Sequence, residues 1–164
     1  MQRLILGLLA GLSATTTMTA AMRHLWLRLQ PRNRYPLPPR ELVERVNLPA
    51  GEDGRRINTL LAHFGFGALA GAGFALLPRS LPSGILYGLS VWTVSYLGWI
   101  PAVGLLKPAT RHPLERNLLM LAVHMVWGAM LAANLRELER AGGEIFAGGP
   151  AKDATKPHLS RRFG

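Results

Sequence analysis

Ile57–Leu77 reads INTLLAHFGFGALAGAGFALL, 21 residues with no formal charge, a histidine at 63 and glycines at 65, 67, 71 and 73. A helix needs about 20 apolar residues to cross the ~30 Å hydrocarbon layer of a bilayer, and this run has that length. In water its interior glycines would each cost a helix roughly 1 kcal/mol. In lipid they become packing surface: Gly67, Gly71 and Ala75, at four-residue spacing, let a second backbone come close. His63 begins the same stripe. A chain built around such a segment belongs in a membrane.

Three more charge-free runs lie outward from it: Leu4–Met22, Ser80–Leu106 and Asn117–Leu135. Hydrophobic residues make up 49% of the chain, mean hydropathy is positive, and the charges gather between the runs, leaving little from which to build an aqueous core. The expected fold is therefore all-α and polytopic, with transmembrane helices at about 4–29, 57–77, 81–106 and 116–138. These form one domain over residues 1–139, and a glycine-rich, basic, disordered tail follows over 140–164. The net charge of +10 would suit a nucleic-acid partner if the arginines formed a patch. They flank the apolar runs instead, where loops facing anionic head groups carry them, so the expected partner is the lipid bilayer and no nucleic acid. Zero cysteines excludes disulfides, thiolate metal sites and iron–sulfur clusters.

The start resembles a signal peptide, with Arg3 ahead of an apolar core. Its apolar character continues to Trp26, however, and Gly7, Gly11, Thr15 and Thr19 form a small-residue stripe, so the reading is a retained helix. Thr15, Thr16 and Thr17 can bond back to carbonyls one turn earlier. Between residues 30 and 56, Pro36, Pro38 and Pro39 predict a stiff non-helical stretch. RELVERV, Arg40–Val46, then predicts a short amphipathic turn, either on the lipid surface or solvated. The 26 residues from Leu81 to Leu106 would span about 39 Å as one helix, which predicts a tilt or a kink at Pro101. Trp92, Tyr96 and Trp99 share one of its faces, a pattern of packing or interfacial anchoring. In the last helix Gly128 and Ala132 continue a small stripe from His124.

The chain also matches itself. At an offset of 77, Gly7-Leu8-Leu9-Ala10-Gly11-Leu12-Ser13 falls on Gly84-Ile85-Leu86-Tyr87-Gly88-Leu89-Ser90, and Arg34-Tyr35-Pro36-Leu37 falls on Arg111-His112-Pro113-Leu114. At an offset of 61, His63-Phe64-Gly65-Phe66-Gly67-Ala68 falls on His124-Met125-Val126-Trp127-Gly128-Ala129. The expectation is two tandem helical hairpins related by an axis along the membrane normal, with both R-x-P-L loops on one side. Those loops hold Arg23, Arg28, Arg32, Arg34, Arg40, Arg45, Arg55 and Arg56, then Lys107, Arg111 and Arg116. Positive charge favours the cytoplasm, which would leave both termini outside.

The repeat sets His63 and His124 at one depth. An ionisable side chain in a spanning helix is a functional hypothesis by default. Three readings stand: histidines that lock packing by donating to a carbonyl or hydroxyl of the next helix, with Ser13, Thr15, Thr16, Ser90 and Thr93 as available partners; a haem or metal pair; or a proton or small-solute pathway. The four apolar runs hold no carboxylate, which weighs against a proton relay, and His24, His112 and His158 are expected to be solvated. No nucleophile–base set, phosphate loop or metal-spaced carboxylate cluster appears, so neither an enzyme nor a resident cofactor is expected. Gly7, Gly11, Gly67, Gly71, Gly84, Gly88 and Gly128 are read as helix-packing positions, in a protein expected to form homo-oligomers or to bind a membrane partner.

The glycine- and threonine-rich first helix, YPLPPREL, HFGFGALAG, VWTVSYLGWIPAVGLL and the stretch from RHPLERN to HMVWGAML together resemble the YagU-like family of bacterial inner-membrane proteins, over most of residues 4–138. The resemblance implies a small multi-pass protein of the bacterial inner membrane without a settled activity. It assigns no catalytic residue.

Overall fold

Three long helices carry the architecture of the computed structural model, which describes residues 1–46, 51–78 and 83–146. They are α1 (Gln2–Trp26), α3 (Glu52–Leu76) and α6 (Leu114–Gly143), each long and apolar enough to cross a membrane. Every regular element among the described residues is helical. Glu52 and Asp53 in the first turn of α3, like Glu115 in that of α6, complement the positive end of the helix dipole. The helices differ from the expected spans at their ends. α1 stops three residues short of Leu29, and α3 begins five residues before Ile57. α6 runs on through Arg140–Gly143, which the sequence reading gave to the tail. Residues 147–164 of that tail lie outside the described residues.

The expected helix over 81–106 is broken. α4 (Gly84–Thr93) starts at Ser83, whose Oγ accepts the Leu86 N–H at 3.4 Å. A π-helical stretch follows over Val94–Trp99, and α5 is the single turn Ile100–Ala102. The bend falls at Gly98 (φ −105°, ψ −107°), not at Pro101 itself. Pro101 nevertheless accounts for it: the ring lacks an N–H and presses on the carbonyl four residues back, at Leu97. The ladder slips by one residue around that gap. Ile100 N–H reaches Ser95 O, and Leu105 N–H reaches Ile100 O at 3.1 Å.

α1 and α6 lie antiparallel at the centre, with α3 against α1 and α4 against α6. Their shared interior holds Ala10, Ala14, Met18, Met22, Val123, Trp127 and Leu131. Both flanking contacts bring backbone against backbone. A Cβ on Gly7 would stand 2.7 Å from Ala75 Cβ and from the Gly71 carbonyl oxygen, and one on Gly11 would run into the Gly67 carbonyl. On the other side Gly84 faces the Gly128 carbonyl and Ala132, while Gly88 faces the His124 carbonyl. The outward faces are apolar, with Ile5, Leu61, Leu69, Leu86 and Leu118 all exposed, a surface suited to acyl chains.

Polar contacts tie the ends. At one end Arg3 Nε donates to Glu139 at 2.9 Å and its Nη1 to the Leu77 carbonyl at 3.0 Å, joining α1, α3 and α6. At the other sits α2 (Pro38–Val46), so Pro38 and Pro39 open a helix where a non-helical stretch was expected. Proline suits a first helical turn, whose N–H groups lack intrahelical partners anyway. α2 packs on α3 with Val43 buried, and Arg40 bridges Glu44 at 2.7 Å and Glu52 at 2.8 Å.

Candidate functional site

Between α3 and the broken α4 lies a cavity of about 250 Å³. Thr15, Met18 and Met22 of α1 and Met120, His124 and Trp127 of α6 form its floor, and Pro38, Pro39 and Leu42 of α2 close one end. Ala62, His63, Phe66 and Gly67 stand on one side, with Trp92, Ser95, Tyr96, Trp99 and Ile100 on the other. Trp99 and Ile100 follow the bend at Gly98. Phe66 and Trp99, on opposite sides of it, are each 44% exposed, so the lining reaches the outer surface between helices. Trp92 and Tyr96 are buried.

His63 and His124 both line this space. Their levels follow from α1. Thr15 abuts Gly67 on one side and accepts the Trp127 Nε1–H at 3.1 Å on the other. One turn nearer the loops, Thr19 meets His63, and His124 stands about one turn from Trp127 in the same direction. The two helix pairs are not superposed by the 61-residue offset, however. In the α4–α6 crossing His124 takes the place that Gly67, not His63, holds in the α1–α3 crossing, a displacement of one turn.

The hydrogen bonds assign the imidazole protons. Thr19 spends its hydroxyl hydrogen on the Thr15 carbonyl at 2.7 Å, so its oxygen accepts from His63 Nε2–H at 3.2 Å. That leaves His63 Nδ1 bare. His124 Nδ1 donates to the Met120 carbonyl at 2.7 Å and leaves Nε2 bare. Neither bare nitrogen has a hydrogen-bond partner among the described residues. The partners are Thr19 and a carbonyl of the same helix, not the serines and threonines expected from sequence. Thr15, Thr16 and Thr17 do bond back to Gly11, Leu12 and Ser13, at 2.7, 3.3 and 3.5 Å.

Beside the cavity lies a polar cluster that sequence reading missed. Arg116 looked like a loop charge, yet it is 2% exposed. Its guanidinium lies 3.4 Å from the centroid of the Tyr35 ring. It donates to the Tyr35 and Pro36 carbonyls, both at 2.8 Å, and to Glu41 at 3.3 Å. Burial pushes the Glu41 carboxyl above its usual range against the opposing pull of Arg116, and burial likewise raises the Tyr35 hydroxyl. His112, expected to be solvated, is stacked on Tyr96 and Tyr35 at ring distances of 5.6 and 6.4 Å, and its Nε2 is buried without a partner. Its Nδ1 meets the Tyr35 hydroxyl at 3.0 Å. The signal was present in the self-match: Tyr35 and His112 are the positions that the 77-residue offset superposes, and they touch. His24 is exposed, and His158 lies outside the described residues.

Among the described residues no group of three or more potential ligands gathers as a metal site. No family model, curated protein or solved structure matches the chain.

Proposed function

We propose that the chain is a non-enzymatic, multi-pass protein of the bacterial inner membrane, of the YagU-like kind, which binds an apolar molecule drawn from the bilayer. The observation that carries this reading is the cavity between α3 and α4, apolar, walled by aromatic side chains and entered from the side between Phe66 and Trp99. No carboxylate lines it, which supports binding over catalysis. Two tandem hairpins with four crossings remain the proposed topology, and the Tyr35–His112 contact between corresponding loop positions supports it. The loops carrying them are assigned to the cytoplasm and both termini to the far side. The close crossings use the packing glycines within the chain, so association with further copies or a membrane partner is assigned to outward faces such as that of Leu61, Gly65 and Leu69.

The test uses Trp26→Phe with Trp99→Phe, which leaves the buried Trp92 and Trp127 as emitters. A brominated alkylbenzene is expected to quench them saturably in lipid nanodiscs. Quenching that merely rises linearly with bromine in the bilayer sinks the reading.

A second reading has its own support. Each imidazole gives one N–H to a protein oxygen, the arrangement that orients histidines toward a metal or haem iron. His63, though, leaves bare the nitrogen next to its own Cβ, a crowded approach for a macrocycle. An absorption spectrum and metal analysis of detergent-purified protein decide it, and a colourless, metal-free preparation ends it.

A further inference from the structure

We infer that the cavity takes the hydroxylated ring of a bilayer-soluble phenol or hydroquinone, each O–H donating to one of the bare nitrogens of His63 and His124. This rests on the cavity being a ligand site entered from the bilayer. Its volume of about 250 Å³ exceeds the ~150 Å³ of apolar cavity that admits benzene, so a substituted ring fits. Phe66, Trp92, Tyr96, Trp99 and Trp127 offer faces and edges for such a ring. The chemistry of the polar atoms then selects among rings. Both imidazoles have committed their hydrogens to Thr19 and Met120 and present lone pairs alone. A hydrocarbon leaves those acceptors unpaired, and so does a quinone or ketone, whose oxygens also lack hydrogens. A hydroxyl supplies the missing hydrogen. Its oxygen also accepts, and the indole N–H of Trp92, in the same wall, is buried without a partner. The opening between Phe66 and Trp99 lets an alkyl tail stay among acyl chains, which favours a lipid-borne phenol over a water-soluble one.

The experiment measures equilibrium binding of 4-decylphenol, 4-decylanisole and p-cresol to the full chain in nanodiscs. The anisole keeps the shape and removes the donor. Decylphenol is expected to bind at least tenfold more tightly than decylanisole, and one of His124→Phe and His63→Phe, the one that removes the acceptor of the single O–H, should shrink that ratio toward one. The wild-type ratio stands by itself should either variant fail to fold. Equal binding of phenol and anisole overturns the hydrogen-bonding role while leaving an apolar ligand site. Binding of neither overturns both readings. Binding of p-cresol as tightly as decylphenol overturns the lipid-borne source.

Discussion

Arg116 shows how much one side chain can hold together. Its planar fork satisfies three carbonyls and a carboxylate while its face covers Tyr35, which a lysine cannot imitate. Arg116→Ala leaves a half-buried carboxylate and three carbonyls without their donor and is expected to lower stability by about 1–3 kcal/mol in denaturant titration of detergent-solubilised protein. Arg116→Lys should recover less than half of that loss. Full stability in the alanine variant would mean that the cluster contributes nothing to the fold. Glu41 gives a pH signature. Its carboxyl sits above the ordinary value of 4.5, so the folded state holds the proton more tightly than the unfolded chain does. Stability therefore falls as pH rises through 4.5 toward the folded-state value, and Glu41→Gln should remove that slope above pH 4.5. An unchanged slope would assign the dependence to another group.

At the scale of elements, the two backbone crossings set what each glycine tolerates. Gly128→Ala drives a methyl into the Gly84 carbonyl, whereas Gly65→Ala meets nothing within 4 Å. The first is expected to lower the melting temperature by several degrees and to loosen α4 in hydrogen exchange. The second should leave stability unchanged or slightly raised, because alanine is the better helix former. Equal effects would mean that close approach is not what holds α4 to α6. The break in the third apolar run has its own test. Pro101→Ala gives Leu97 a helical partner again, so spin labels at Leu89 and Val103 should move apart as the segment straightens. An unchanged distance would place the cause of the bend elsewhere. Much of this was legible beforehand. Four-residue spacing exposed the glycine stripes, and Pro101 announced a bend. That the backbone yields at Gly98 was not legible, because it depends on which residue upstream of a proline resists least.

At the scale of the whole molecule, three helices among the described residues are long and apolar enough to cross a membrane, and the proposed topology gives a fourth crossing to the broken segment. A chain without cysteine lends itself to mapping. Single cysteines at Arg32 and Arg111 are expected to label from one face of sealed vesicles, and one at Arg140 from the other. Labelling of Arg32 and Arg111 from opposite faces would refute the doubled hairpin. That both histidines line one space was suggested by their distance to the loops, although the repeat register behind that reading is off by one turn. The cavity itself was not legible, since it arises from helices far apart in sequence and from a bend whose position the sequence hid. The Arg116 cluster was invisible for the same reason: carbonyls at Tyr35 and Pro36 become its partners when the ends of the bundle converge. That long reach carries a consequence for biogenesis. The loop after α1 offers carbonyls whose guanidinium is encoded some 80 residues later, so while the ribosome is still translating the third run, the leading half has that end unfastened. Emergence of Arg116 is then the moment at which the nascent protein can fasten that end, and a stop codon upstream of it leaves the Tyr35 and Pro36 carbonyls without their donor.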